Sequence, residues 1–145
     1  RLLRLTMNHS DRLRGMETLQ PLLSASVGLY LAAKQAHWVV LGPHFQSLHT
    51  LFGELADAAE DAADTLAERI AQMHGTPVQS YADFQIRQRD GLGLVRELLV
   101  FVQRVSAGNL AAIKALGSDQ VTANIVINIE EALEKLRWKL DSHLR

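Results

Sequence analysis

The chain has no cysteine in its 145 residues. Disulfide frameworks, thiolate zinc sites and cysteine nucleophiles are excluded together, and nothing points to an oxidising compartment. Proline and glycine are sparse, three and nine, and they sit where helix punctuation belongs. No stretch alternates with period two, and no repeat or low-complexity tract occurs. Neither sign of charge dominates: 15 Lys and Arg against 16 Asp and Glu give a formal charge of -1. Coating of nucleic acid by overall basicity is thereby excluded, while a local basic arm is not. Long apolar runs are missing too. Thr18 to Ala33 is free of charged residues but contains Gln20, Pro21, Ser24 and Ser26, and is too short and polar to span a bilayer. Arg1 to Arg14 carries four arginines with no apolar segment directly behind them, unlike a secretory leader. What is present is a 48% hydrophobic, 21% charged chain of a size that buries one core. The expectation is one soluble intracellular domain with no membrane partner.

The periodicity predicts four helices. A first helix capped by Thr18, with Pro21 in its first turn, repeats Leu23, Val27, Tyr30 and Ala33 at helical spacing. Residues 1–17 then read as an N-terminal basic arm and 18–145 as the bundle domain. After Gly42-Pro43, a second helix runs from about Phe45 to His74 with Leu48, Leu51, Leu55, Ala59, Ala62, Leu66 and Ile70 on one side. Gly75 can take the left-handed position at its end and Pro77 forbids continuation. A connector with Tyr81 and Phe84 has room for one short helix. A third pattern runs from near Arg89 to Leu116, with Gly108-Asn109 as its weak point. Ser118-Asp119 caps a fourth, carrying Ile125, Ile129, Leu133, Leu136 and Leu140. The fold class is all-α, an antiparallel four-helix bundle with one long crossover between the second and third helices.

The second helix carries an acidic stripe. Glu54, Asp57, Asp61, Asp64 and Glu68 follow at spacings of 3, 4, 3 and 4, within about 80° of arc. Glu60 lies nearby, and no Lys or Arg interrupts from 54 to 68. Like charges four residues apart cost about 0.2–0.5 kcal/mol per pair, so the stripe is either a plain solvated face or one completed by cations or a basic partner. Carboxylate oxygen and imidazole nitrogen suit Fe, Mn and Zn. His37 and His49 flank the Gly42-Pro43 turn, each roughly 8–10 Å from it along its own helix, and so can lie level with one another. Within one straight helix, however, Asp64 is about 22 Å and Glu68 about 28 Å from His49. The Glu-x-x-His pattern of an internal di-iron site is absent, as is His-Glu-x-x-His. Either the histidines and the acids are unrelated, or the His pair of one subunit meets Asp64 and Glu68 of another across a two-fold interface.

Lys34-Gln35-Ala36-His37-Trp38, then Gly42, Phe45 and His49, then Asp64 and Ala67-Glu68-Arg69, together with Leu136-Arg137-Trp138 near the end, resemble the signature of the Dps family, the mini-ferritins or DNA-binding proteins from starved cells. The resemblance extends over nearly the whole chain. It implies a ferritin-like four-helix subunit with a short helix in the long connector, assembled as a hollow dodecamer. It implies ferroxidase centres straddling two-fold interfaces, where Fe(II) is oxidised by O2 or, preferably, hydrogen peroxide. Ferric mineral is then stored inside, protecting a bacterial cytoplasm and nucleoid from oxidative stress. By position His37 and His49 would be catalytic metal ligands from one subunit, and Asp64 and Glu68 those from its neighbour. Trp38 would sit beside the centre, either handling stray oxidising equivalents or serving as a buried interface anchor. His44 and His74 read as surface residues.

The pattern is broken at Gly53, where the family usually has an Asp four residues after the second histidine, and at Val39, which replaces a common Asn. Asp57 is the nearest substitute carboxylate. Oxidation could therefore be slow, use a different metal pair, or be inhibited by zinc at the same site. Two other functions compete. In one, Arg1, Arg4, Arg12 and Arg14 form an arm that binds DNA phosphates, amplified by multivalent display. In the other, the shell buffers metal without redox work. Asp119, Glu130 and Glu131 are candidates for an acidic iron-entry pore, with Asn124 where an acid is often found.

Overall fold

The computed structural model describes residues 7–145. It holds four helices: α1 (His9–Val39), α2 (Phe45–Gln72), α3 (Gly91–Leu116) and α4 (Gln120–Ser142). The first begins well before Thr18. Asn8 is its N-cap, with Oδ1 accepting the Asp11 N–H at 2.9 Å, and Asp11 adds negative charge at the positive end of the helix dipole. Residues 9–17, read above as part of the arm, are helical; Arg1 and Arg4 lie outside the described residues. Pro21 therefore falls inside α1. It is tolerated because Pro21 and Glu17 both face outward, where water can take up the Glu17 carbonyl that Pro21 leaves without a donor.

α1 and α2 are joined by the turn at residues 40–44. The Leu41 N–H donates to the Arg89 carbonyl at 2.9 Å, which sets the start of α3 beside that turn. α2 and α3 thus run the same way on diagonal corners. The adjacent pairs are α1 with α2, α1 with α3, α3 with α4 and α2 with α4, all antiparallel, as expected for a bundle with one long crossover.

That crossover contains no helix between residues 75 and 90, contrary to expectation. Its main chain is spent on α1 instead. Gln20 Nε2 donates to the Thr76 carbonyl at 2.8 Å and its Oε1 accepts from Val78 N–H at 3.0 Å. Ala82 N–H donates to the Ser24 carbonyl at 2.9 Å. Ala82 lies so close to Gly28 that a Cβ there would collide with the Ala82 carbonyl. Clamped at these points, the segment runs extended along α1. At the end of α2 the left-handed residue is His74 (φ 64) rather than Gly75, a conformation histidine accepts more readily than most side chains.

α3 runs unbroken through Gly108-Asn109. By length and composition it could cross a bilayer, but its apolar side is spent in the core through Leu94, Val95, Leu98 and Val102. The seven apolar positions predicted on α2 are all buried. On α4 the buried set is Thr122, Val126, Glu130, Leu133, Leu136 and Leu140, with Ile125 and Ile129 only half-buried. Two apolar clusters result, one around Phe52, Leu55 and Leu98, the other around Leu19, Ile70 and Leu116. Ser26, Ser106, Asn109 and Glu130 are the buried polar residues at the level between them. There Asn109 Nδ2 donates to Glu130 Oε2 at 2.8 Å.

Candidate metal centre

The histidine pair is organised by the end of α1. Four carbonyls at a helix C-terminus lack intrahelical donors, and the His37 carbonyl is one of them. His49 Nδ1 lies 2.7 Å from it, and His37 Nδ1 lies 2.6 Å from the His49 carbonyl. A carbonyl oxygen only accepts, so both Nδ1 atoms carry protons and donate. In this tautomer the free lone pair is on Nε2, the nitrogen through which the ring can ligate a metal. The rings stack with centroids 3.7 Å apart and planes 17° from parallel, and Phe45 stacks on His49 at 5.1 Å. Both histidines are half-buried. Two imidazoles are thus fixed level with each other, as the spacing around the turn predicted.

Gly53 makes room for this arrangement. A Cβ at position 53 would lie 3.3 Å from His37 Nδ1, so the absent side chain is what lets the His37 ring rest against α2. The same absence leaves position 53 without a carboxylate beside the rings, and the adjacent Glu54 is turned to Lys139. Asp57 is exposed, about 12 Å along the axis from His49 at 1.5 Å per residue.

Asp64 and Glu68 sit on the exposed side of α2, far from the histidines of their own chain. Among the described residues no three His, Asp or Glu side chains are grouped closely enough to hold a metal ion. One chain therefore brings together His37 with His49 but not these with the acids. Of the six acids on α2, Glu54 pairs with Lys139 at 2.9 Å; Asp57, Glu60, Asp61, Asp64 and Glu68 form no ion pair among the described residues. Next to Glu68, Arg69 turns the other way. Its Nε donates to Thr122 Oγ1 at 3.0 Å and its guanidinium lies 3.8 Å from Asp119. Asp119 also caps α4, accepting from Thr122 N–H at 3.1 Å, so the acid end of α2 is bolted to the start of α4.

The remaining candidates fall into place individually. Trp38 is 67% exposed in the single chain. His44 and His74 are exposed, as expected. Arg14 pairs with Asp11 at 3.2 Å, and Arg12 is half-buried. Glu130 cannot line a pore: it is 5% exposed and bonded to Asn109 inside the bundle. Asp119 is committed to its cap and Arg69, leaving Glu131 exposed on α4. The Asn109–Glu130 contact was missed in the sequence, although Glu130 falls four residues after Val126 and three before Leu133, on the buried stripe.

The ferritin-like domain family matches residues 16–145. DNA protection during starvation protein 1 of Deinococcus radiodurans is 31% identical over 137 residues, covering 87% of this chain and 66% of that protein. The DNA protection during starvation protein of Brevibacillus brevis is 31% identical over 128 residues, covering 81% and 86%. The chain thus spans about two thirds of the first relative and most of the second. Among solved structures, DpsA14 from Streptomyces coelicolor superposes with a TM-score of 0.91 at 28% identity, covering 98% of this chain and 90% of that one. With the fold, the level histidine pair and these likenesses in agreement, the chain belongs to the Dps family of ferritin-like proteins.

Proposed function

We propose that the protein oxidises Fe(II) and stores the ferric product inside a hollow dodecamer, at sites that two subunits complete together. The observation that carries this reading is the reciprocal lock of His37 and His49, which leaves two Nε2 lone pairs ready while Asp64 and Glu68 of the same chain stand about 22–28 Å away. A two-fold contact brings the acids of one subunit to the histidines of the other, and does so twice. Two imidazole nitrogens and two carboxylates form a donor set suited to Fe(II), with zinc as a competitor for the same groups. Iron is the substrate. Two Fe(II) ions each give one electron to hydrogen peroxide, the O–O bond breaks, and two protons complete two waters. O2 can replace peroxide as acceptor. The main-chain carbonyls that accept from Nδ1–H hold both rings with Nε2 free to ligate, Asp57 is an auxiliary carboxylate, and Trp38 stands one residue from His37. The setting is a bacterial cytoplasm, where removing iron and peroxide together limits oxidative damage.

The second reading is contact with DNA, supported by the names of the curated relatives, which are DNA protection proteins. A third, metal buffering without redox work, is supported by Gly53. The test is to load Fe(II) anaerobically, add peroxide and follow ferric absorbance in the wild type and in a His37→Ala, Glu68→Ala double variant. The wild type oxidises fast and the double variant does not; equal rates would overturn the ferroxidase reading.

A further inference from the structure

α3 is the basic helix of this bundle, a property hidden by the net charge of -1. Arg96, Arg104 and Lys114 fall within about 80° of arc on its exposed side, and no acid shares that arc. Between residues 84 and 118 there are five basic residues (Arg87, Arg89, Arg96, Arg104, Lys114) and two acids, Asp90 and Glu97. Both acids are occupied by main-chain donors. Asp90 accepts the Gly93 N–H at 2.8 Å as the cap of α3. Glu97 accepts the N–H groups of Arg87 at 3.0 Å and Gln88 at 3.2 Å. These bonds tie the end of the connector to the first turns of α3, so Arg87 and Arg89 continue the row. All five cations are exposed and none forms an ion pair among the described residues.

The acids of α2 lie on the diagonally opposite corner of the bundle. The acidic stripe of α2 and the basic row of α3 are therefore on different sides of the bundle, while α4 carries charges of both signs. Five unneutralised cations in a row repel one another, and a polyanion relieves that repulsion. From Arg96 to Lys114 the row is about 27 Å long with steps of about 12 and 15 Å, comparable to the roughly 12 Å width of the major groove of DNA between its phosphate walls. Val100, Ala107 and Ala111 lie between the cations and carry no donor or acceptor with which to read base edges.

We propose that the exposed face of α3, led by Arg87 and Arg89, is the surface by which this protein grips duplex DNA, through phosphates and without sequence preference. This rests on the DNA-contact reading above and moves the contact from the N-terminal arginines to the body of the bundle. Val100 and Leu110 are exposed on the same face, which makes an anionic bilayer the rival partner.

The experiment uses the assembled full chain and a short duplex of random sequence in gel-shift titrations at about 50 and 200 mM salt. One variant combines Arg96→Gln, Arg104→Gln and Lys114→Gln; the other combines Arg12→Gln and Arg14→Gln. The α3 variant is expected to lose affinity at least about tenfold at low salt, with a salt dependence shallower by about 2–3 in slope. The arm variant is expected to keep most of its affinity. Light scattering confirms that each variant assembles, and ferric absorbance reports the iron reaction separately, so loss of DNA binding with intact iron oxidation is attributable to the stripe. The proposal is overturned if wild type does not bind DNA at low salt, or if the arm variant loses binding while the α3 variant keeps it. It is equally overturned if the protein binds phosphatidylserine-containing vesicles and not DNA.

Discussion

The two halves of α2 hold their functional side chains in different ways. Near its start, His49 is stacked on His37 and each ring is held by a main-chain carbonyl within the same chain. Near its end, Asp64 and Glu68 are exposed and form no ion pair among the described residues, while the neighbouring Arg69 is anchored to Thr122 and Asp119. In the proposed donor set one half is organised within the chain; the other would take its geometry from a partner. Folding alone fixes each tautomer, because a main-chain carbonyl, that of His37 at the end of α1 and that of His49 within α2, accepts from each Nδ1–H. It leaves the carboxylates solvated, the cheaper state for unpaired charge.

The contrast can be broken most severely by deleting a ligand from either half. His37→Ala and Glu68→Ala should each slow peroxide-driven ferric absorbance by at least about 100-fold, more than loss of an outer partner usually costs. If only the histidine variant were slow, the acid half would have no part in the centre. A smaller and opposite effect is expected from Gly53→Asp, which returns a carboxylate to the ordered half. Its Cβ would crowd His37 Nδ1 at 3.3 Å, so about 1 kcal/mol of stability is lost to local strain, while oxidation becomes faster. Stopped-flow rates together with a denaturant melt separate the two effects; an unchanged rate would mean the missing carboxylate is not limiting. The smallest effect concerns the anchor of the acid half. Asp119→Ala removes the cap of α4 and the partner of Arg69, and should destabilise the fold by about 1 kcal/mol without altering metal binding by the histidines, as a thermal melt beside a cobalt titration would report.

The same contrast marks how far the sequence could be read. The buried face of α2 is legible because seven apolar residues repeat at 3.6 over an unbroken helix, and the level histidines follow from counting residues around one turn. The fold class follows from the same repetition in four segments. The hydrogen bonds that fix the tautomers are not legible, since they depend on how the last turn of α1 lies against the first turns of α2. The start of α1 was overlooked although Asn8 and Asp11 have the spacing of a cap; Thr18 and Pro21 offered a second start signal that the tertiary structure overrides. On α4, Ile125 and Ile129 suggested a face rotated by one residue from the true one. The burial of Glu130 against Asn109 lies outside any pattern built on apolar residues alone. The connector lost its expected helix because its main chain bonds to Gln20 and Ser24, a long-range outcome that local propensity does not encode.

The claim on which the functional account turns is that each metal centre takes its histidines from one chain and its acids from another. It is tested most directly by assembling shells from a mixture of His37→Ala chains and Glu68→Ala chains. Each mixed two-fold pair contains one complete site and one site lacking both ligands. Random pairing makes half of the pairs mixed, so the hybrid shell should recover about one quarter of the wild-type oxidation rate while each parent stays inactive. A hybrid no faster than its parents would contradict the account.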